Sequence, residues 1–194
     1  MALQHAILVS LCEQPSSGYE LTRRFDRSIG YFWSATHQQI YRTLGRLHAE
    51  GMVSFEPVAQ EGRPDKKVYT LSDAGRRALR EWVSSPTPMQ QLRDDLGLKI
   101  RAAEHADLTD VIDELRRHRA EHLARLHLYQ SFEKDDYPDP QALKGRRLHQ
   151  YLVLRGGVRI EEGFVGWCDE VITALDAEQR RTSTISKPSV SNES

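Results

Sequence analysis

The sequence predicts a mainly α protein with a small β wing, built in two parts, and three observations carry that expectation. In residues 1–51, and again after residue 107, apolar residues recur at three- and four-residue spacing, as in helices with one buried side. Between them the period shortens in MVSFEPV (52–58) and KVYTL (67–71), runs rich in branched and aromatic residues with Gly62 and Pro64 as turn signals between. The string VSSPTP (83–88) then punctuates the chain. The expected division is a first domain over 1–85, a connector and start of the helical domain over 86–107, an antiparallel helical dimerisation domain over 108–178, and a disordered tail over 179–194.

The first helix is expected over residues 3–13, with Ala6, Ile7, Leu8 and Leu11 on one side, ended by Gln14, Pro15, Ser16 and Ser17. Ser17 with Glu20 has capping-box spacing and opens a second helix, in which Tyr19, Leu21, Phe25 and Ile29 supply apolar contacts and Arg23, Arg24 and Arg27 lie outward, with Gly30 closing it. Tyr31, Phe32 and Trp33 read as packing between helices. Residues 34–51 form a third helix with Ile40, Leu44 and Leu47 as its seam; Ser34 or Thr36 can cap it, and only Thr36, with Gln39, has capping-box spacing. The hairpin follows, with AQEGRPDK as a long projecting loop, and Ser72 caps a fourth helix that buries Ala78, Leu79 and Trp82. Three helices, a hairpin and a further helix in this order describe a winged helix-turn-helix.

The second half opens with a short helical connector through Leu92, Leu96 and Ile100. Asp107 caps a long helix over 108–134, with Leu108, Val111, Ile112, Leu115, His122, Leu126, Tyr129 and Phe132 on its buried side. It should span about 40 Å at 1.5 Å per residue, more than a winged domain needs for itself. DDYPDP (135–140) breaks the pattern, and a second long helix restores it over 141–176. The two make a plausible interchain bundle. The expected dimerisation residues are Leu108, Ile112, Leu115, Leu126, Tyr151, Val158, Phe164, Trp167, Val171 and Leu175. Tyr151, Phe164 and Trp167 either line an effector pocket or belong to the core.

Composition excludes several classes. No run approaches the roughly 18–20 apolar residues of a membrane helix, and the N-terminus lacks a charged leader, so a cytoplasmic protein is expected. Cys12 and Cys168 read as buried small hydrophobes. His118 and His122 share a helix face at four-residue spacing, but no further ligands are fixed by spacing, and neither a metal nor a cofactor is expected. No phosphate-binding glycine loop or catalytic spacing appears, which argues against an enzyme. Net charge is −1, divided as +2 over residues 1–85 and −3 over the rest, so any positive patch must come from local placement.

The third helix supplies that placement. Thr36, His37, Gln38 and Gln39 carry donors and acceptors and no acid, the side-chain types that meet base edges in a major groove, with the two glutamines the natural adenine readers. Ser34, Tyr41, Arg42 and Arg46 suit sugar-phosphate contacts, as do Arg63, Lys66 and Lys67 on the wing. Tyr41 could instead pack against the wing. The partner implied is double-stranded DNA, and the competing reading is a non-enzymatic protein-interaction module on the same fold.

These residues resemble the PadR family of bacterial transcriptional regulators. The opening ILVSLCEQPSSGYEL is similar through Pro15, Gly18, Tyr19, Glu20 and Leu21. The recognition region is similar through Tyr41, Leu44, Leu47, Glu50, Gly51, Met52 and Val53, and the wing through Gly62, Arg63, Lys67, Tyr69, Leu71, Ser72 and Gly75. Beyond residue 85 the likeness is to members with a larger helical C-terminal domain, by length and pattern. The resemblance implies a homodimeric repressor whose third helix enters the major groove at a pseudo-palindromic promoter operator. It also implies that the region of Tyr41, Arg63 and Lys67 holds the DNA backbone. Some members respond to phenolic acids or lipophilic ligands and others act without one, so the resemblance leaves a small aromatic or lipophilic effector open. His37 and Gln38 stand where small or hydroxyl residues are frequent, which implies a different target sequence, and Val68 stands where an aromatic or basic residue is common.

Overall fold

The computed structural model describes residues 2–27, 35–60, 63–89 and 95–185, in two compact units, Met1–Gln90 and Gln91–Ser194. Ser34, Leu92, Gly62 and the cluster Tyr31, Phe32 and Trp33 lie outside the described residues, as do Ile29 and Gly30.

In the first unit α1 (Ala2–Glu13) leads into β1 (Ser16–Ser17), α2 (Gly18–Arg27), α3 (His37–Ala49), β2 (Val53–Gln60), β3 (Arg63–Leu71) and α4 (Asp73–Ser84). Each of the three leading helices turns its apolar side inward. Ile7, Leu8 and Leu11 meet Leu21 and Phe25 from α2, Ile40, Leu44 and Leu47 from α3, and Val53 and Leu71 from the sheet. The capping box at α2 forms as its spacing requires: Ser17 N–H donates to Glu20 Oε2 at 2.8 Å, and Glu20 N–H donates to Ser17 Oγ at 3.3 Å. Ser72 caps α4 by accepting from Gly75 N–H at 3.1 Å.

The passage from α3 into the wing depends on one left-handed residue. Gly51 has φ +70, Met52 N–H donates to Leu47 O at 2.9 Å, and Gly51 N–H donates to His48 O at 3.0 Å, the double closure of a Schellman ending. Gly51→Ala should lower the unfolding free energy by about 1–2 kcal/mol, because a Cβ is strained in this conformation. Denaturant titration followed by circular dichroism measures it, and an unchanged midpoint would refute the assignment.

Several expectations are corrected in this unit. The serines read as a helix stop, and at Ser17 as a cap, also form a strand, since Ser16 and Ser17 pair antiparallel with Tyr69 and Val68, giving the sheet order β1-β3-β2. The hairpin loop is short rather than long: β2 reaches Gln60 and β3 starts at Arg63, with a bulge between Val58 and Gln60. Cross-strand hydrogen bonding carried both strands through residues that look like a loop by composition. Arg24 is not an outward residue. Its guanidinium donates to Ser10 O at 2.8 Å and Gln14 O at 3.1 Å, and to Ser16 Oγ, neutralising the carbonyl end of α1. Tyr19 is 61% exposed and Trp82 39% exposed, the latter stacked on His5 with ring centroids 4.5 Å apart. Cys12 is exposed, whereas Cys168 is buried as its apolar neighbours suggest.

The second unit comprises α5 (Asp95–Arg101), a 3-10 turn (Ala103–His105), α6 (Leu108–Asp136), a second 3-10 turn (Pro140–Ala142) and α7 (Gly145–Ile185). Asp107 caps α6, its Oδ1 accepting from Thr109 N–H at 2.8 Å. α6 and α7 form an antiparallel hairpin whose register is fixed by polar pairs. Gln179 donates to Thr109 at 2.8 Å, Arg119 pairs with Asp169 at 2.5 Å, and Arg155 pairs with Glu133 at 2.9 Å. Arg117 and Lys99 hold the Glu114 carboxyl down to about 2, so it stays ionised through mild acid.

Leu96 and Ala103, in the stretch expected as connector and start of the helical domain, are buried with Val111, Leu115 and Cys168 in the second unit's core. α7 continues to Ile185, taking in the start of the expected tail. None of the described helices is long and apolar enough to cross a membrane.

Candidate nucleic-acid interface

The start of α3 is an exposed, acid-free polar surface of the first unit. Thr36 is the N-cap, with φ −73 and ψ 154; its Oγ1 accepts from Gln39 N–H at 3.2 Å while Gln39 Oε1 accepts from Thr36 N–H at 2.9 Å. This reciprocal closure holds the first turn rigid. It also divides the four expected base readers. Thr36, His37, Gln38 and Gln39 are all exposed, but the Gln39 carboxamide oxygen is already engaged, and a bidentate contact to adenine needs both ends of that group. Gln38 is bound by no such cap.

The backbone candidates divide as well. Arg42 is exposed on α3, whereas Arg46 donates to Gln4 Oε1 at 2.9 Å and thereby ties the end of α3 to α1. Tyr41 is 50% exposed, so it is not a core residue, and its ring lies across Gly18: a Cβ on Gly18 would sit 2.3 Å from Tyr41 Cε1. Burial and the nearby Tyr41 push the Tyr69 hydroxyl pKa up, and Tyr69 leans on Phe55 with centroids 5.5 Å apart. On the wing, Lys67 pairs across the strands with Pro57 and its ammonium sits 4.5 Å above the Phe55 ring, so it lies along the strand rather than at the hairpin tip. Lys66 is not an unencumbered cation, since its Nζ lies 2.6 Å from Glu20 Oε1. Arg63 opens β3, and its side chain lies outside the described residues.

Sequence reasoning missed three participants: Gly18 as the seat of Tyr41, Glu20 as the partner of Lys66, and Gln4 as the partner of Arg46. The spacing of Ser17 and Glu20 pointed to a cap, but the reach to a lysine 46 positions away had no local signal.

Many of the residues expected to dimerise or to line a pocket in the second unit pack within that unit itself. Ile112, Leu115, Leu126 and Val158 are buried by the chain itself, so a partner cannot be what covers them. Leu108, Val171, Leu175 and Trp167 pack on the intrachain core of Leu96, Ala103, Val111, Leu115 and Cys168. The apolar residues left exposed on the hairpin include Leu128, Leu152, Val153 and Ile160. Tyr151, Phe164 and Trp167 do not converge. Tyr151 donates to Glu133 at 3.1 Å, while Phe164 stacks on His122 at 4.4 Å and meets Trp167 edge-on at 6.3 Å. Along a straight helix Tyr151 stands about 20 Å from Phe164. Among the described residues no group of three or more His, Cys, Asp or Glu could hold a metal.

A three-helix core, a capped polar third helix and a β hairpin beside it define a winged helix-turn-helix, here followed by a long helical hairpin. The chain belongs to the PadR-like family of transcriptional regulators. The family model matches residues 7–81, and a model described as the virulence activator alpha C-terminal domain matches residues 92–176. The chain is 51% identical over 189 residues to the "Probable transcriptional regulator Rv1176c" of Mycobacterium tuberculosis, covering 92% of this chain and all of that one. It is 31% identical to the "Negative transcriptional regulator PadR" of Bacillus subtilis, covering 91% and 98%. The latter has been solved with operator DNA (28% identity, TM-score 0.81, 90% and 99% coverage) and with p-coumaric acid (29%, 0.76, 91% and 99%). The Vibrio cholerae virulence activator AphA is similar at 32% identity and TM-score 0.77, over 91% and 99% of the two chains.

Proposed function

We propose that the protein is a sequence-specific double-stranded DNA-binding repressor that works as a homodimer on a pseudo-palindromic operator, acting by binding rather than by catalysis. The observation that carries this reading is the rigid, acid-free first turn of α3, with Gln38 and His37 exposed on it and Lys67 on the hairpin that follows. The operator complex of Bacillus subtilis PadR supports it by similarity. Repression follows the name of that relative, and Leu152, Val153 and Ile160 offer an apolar face to a second copy. Such a regulator works in the cytoplasm, where the DNA is. A small aromatic effector that relieves repression is supported by the p-coumaric acid complex of the same relative.

Footprinting on the promoter of its own gene, with random duplex as competitor, tests the reading. A protected pair of half-sites about one helical turn apart, resistant to the competitor, is the expected result. Equal binding to both duplexes would sink specificity, and a constant monomer mass across dilution would sink the dimer.

Gly18→Ala tests the role given to Tyr41. The added methyl must displace the Tyr41 ring, and the expected result is a several-fold loss of affinity for operator and random duplex alike, since a backbone contact carries no sequence information. Affinity unchanged by the substitution would return Tyr41 to a packing role.

A further inference from the structure

Glu20 joins three parts of the first unit through one carboxylate. Its Oε2 accepts from Ser17 N–H at 2.8 Å and from Ser17 Oγ at 3.0 Å, and its Oε1 meets Lys66 Nζ at 2.6 Å. Ser17 is itself held in β1, paired with Val68, two positions from Lys66 on β3. The anion is therefore fixed in place by a helix cap and a strand, and it does not follow the lysine as a loose surface partner would. The Lys66 hydrogen bond, with that from Ser17, holds the Glu20 carboxyl below its ordinary range, so it is ionised at neutral pH. Both side chains remain partly exposed, 29% for Lys66 and 45% for Glu20, and an ion pair of this kind contributes little to folding. Its consequence lies elsewhere. A cation contributes to duplex binding by replacing counterions on phosphate, and a lysine already neutralised by a fixed carboxylate replaces none until that pair breaks.

We propose that Glu20 is a charge brake on the wing: by pairing with Lys66 it withholds one cation from the DNA backbone and so limits how tightly the protein holds duplex of any sequence. This rests on the DNA-binding reading above. Lys67, on the opposite face of the same strand and seated over Phe55, has no such restraint from Glu20 and supplies the phosphate contact that Lys66 does not.

The test is the salt dependence of binding to a random duplex, by fluorescence anisotropy on the full chain, for the wild type, Glu20→Gln, Lys66→Gln and the double variant. Glutamine at this position keeps an oxygen for the Ser17 cap, and thermal unfolding of each variant checks that the fold is retained. Glu20→Gln should tighten random-duplex binding several-fold near 0.1 M salt and steepen the plot of log affinity against log salt by about 0.9. In the Lys66→Gln background the same change should steepen it clearly less. An unchanged slope, an equal change in both backgrounds, or a loss of affinity on Glu20→Gln would each overturn the proposal while leaving DNA binding intact. A wild type that binds neither its promoter nor random duplex would overturn the DNA-binding reading itself, and the brake with it.

Discussion

Gln38→Ala should change the ranking of operator variants, by about 1–3 kcal/mol at the base pair it contacts, while leaving the salt dependence of binding as it is. Gln39→Ala should behave differently. Gln39 closes the capping box with Thr36, so its loss should loosen the first turn of α3 and weaken all variants together rather than reorder them. The contrast follows from one hydrogen bond: the Gln39 carboxamide oxygen is occupied by the Thr36 N–H at 2.9 Å, and that of Gln38 is not. Binding titrations across a set of single-base operator variants separate the two. If both substitutions reorder the variants equally, the cap opens in the complex and the division of labour is wrong.

The second large effect is expected in the helical hairpin, at a carboxylate that periodicity would assign to an apolar stripe. The Glu161 side chain is only 9% exposed; its Oε2 lies 2.5 Å from His122 Nδ1 and its Oε1 lies 3.4 Å from Arg125 Nε, with Phe164 stacked on the imidazole. Removing one member of such a group leaves the other buried without its partner, so Glu161→Ala should cost about 3 kcal/mol of stability. Replacing Glu161 and His122 together by leucine should recover most of that loss, because the half-exposed Arg125 guanidinium left behind turns to solvent. Calorimetric unfolding of the wild type, the single and the double variant measures the difference. A double variant no more stable than Glu161→Ala would mean that the pair does more than satisfy itself.

Much of this was legible in the chain. The caps at Ser17, Thr36, Ser72 and Asp107 are local, each fixed by residues two or three positions apart, and all four formed where their spacing places them. The seam of Ile40, Leu44 and Leu47 and the stripe of Val111, Ile112 and Leu115 were equally plain, because one helix turn suffices to reveal them. What was hidden is what a stripe packs against. Periodicity marks Ile112 and Val158 as buried without saying whether the covering surface belongs to the same chain, and here it does. Pairings distant in sequence, such as Lys66 with Glu20 and Arg46 with Gln4, depend on how the elements close and left no local trace. The strand at Ser16–Ser17 was invisible for another reason: it pairs through its backbone, and two serines carry no alternation.

That two-residue strand has a consequence for how the molecule behaves in a crowded solution. A sheet with open edges is a template for further strands, and chains that meet edge to edge polymerise. On one side of this sheet the edge is Ser16–Ser17, too short to recruit a neighbour and hemmed between Pro15 and the first turn of α2. On the other side the edge is β2, where Pro57 has no N–H to offer. A two-residue strand at one margin and a proline at the other blunt strand addition to this sheet, so the wing is a poor seed for aggregation.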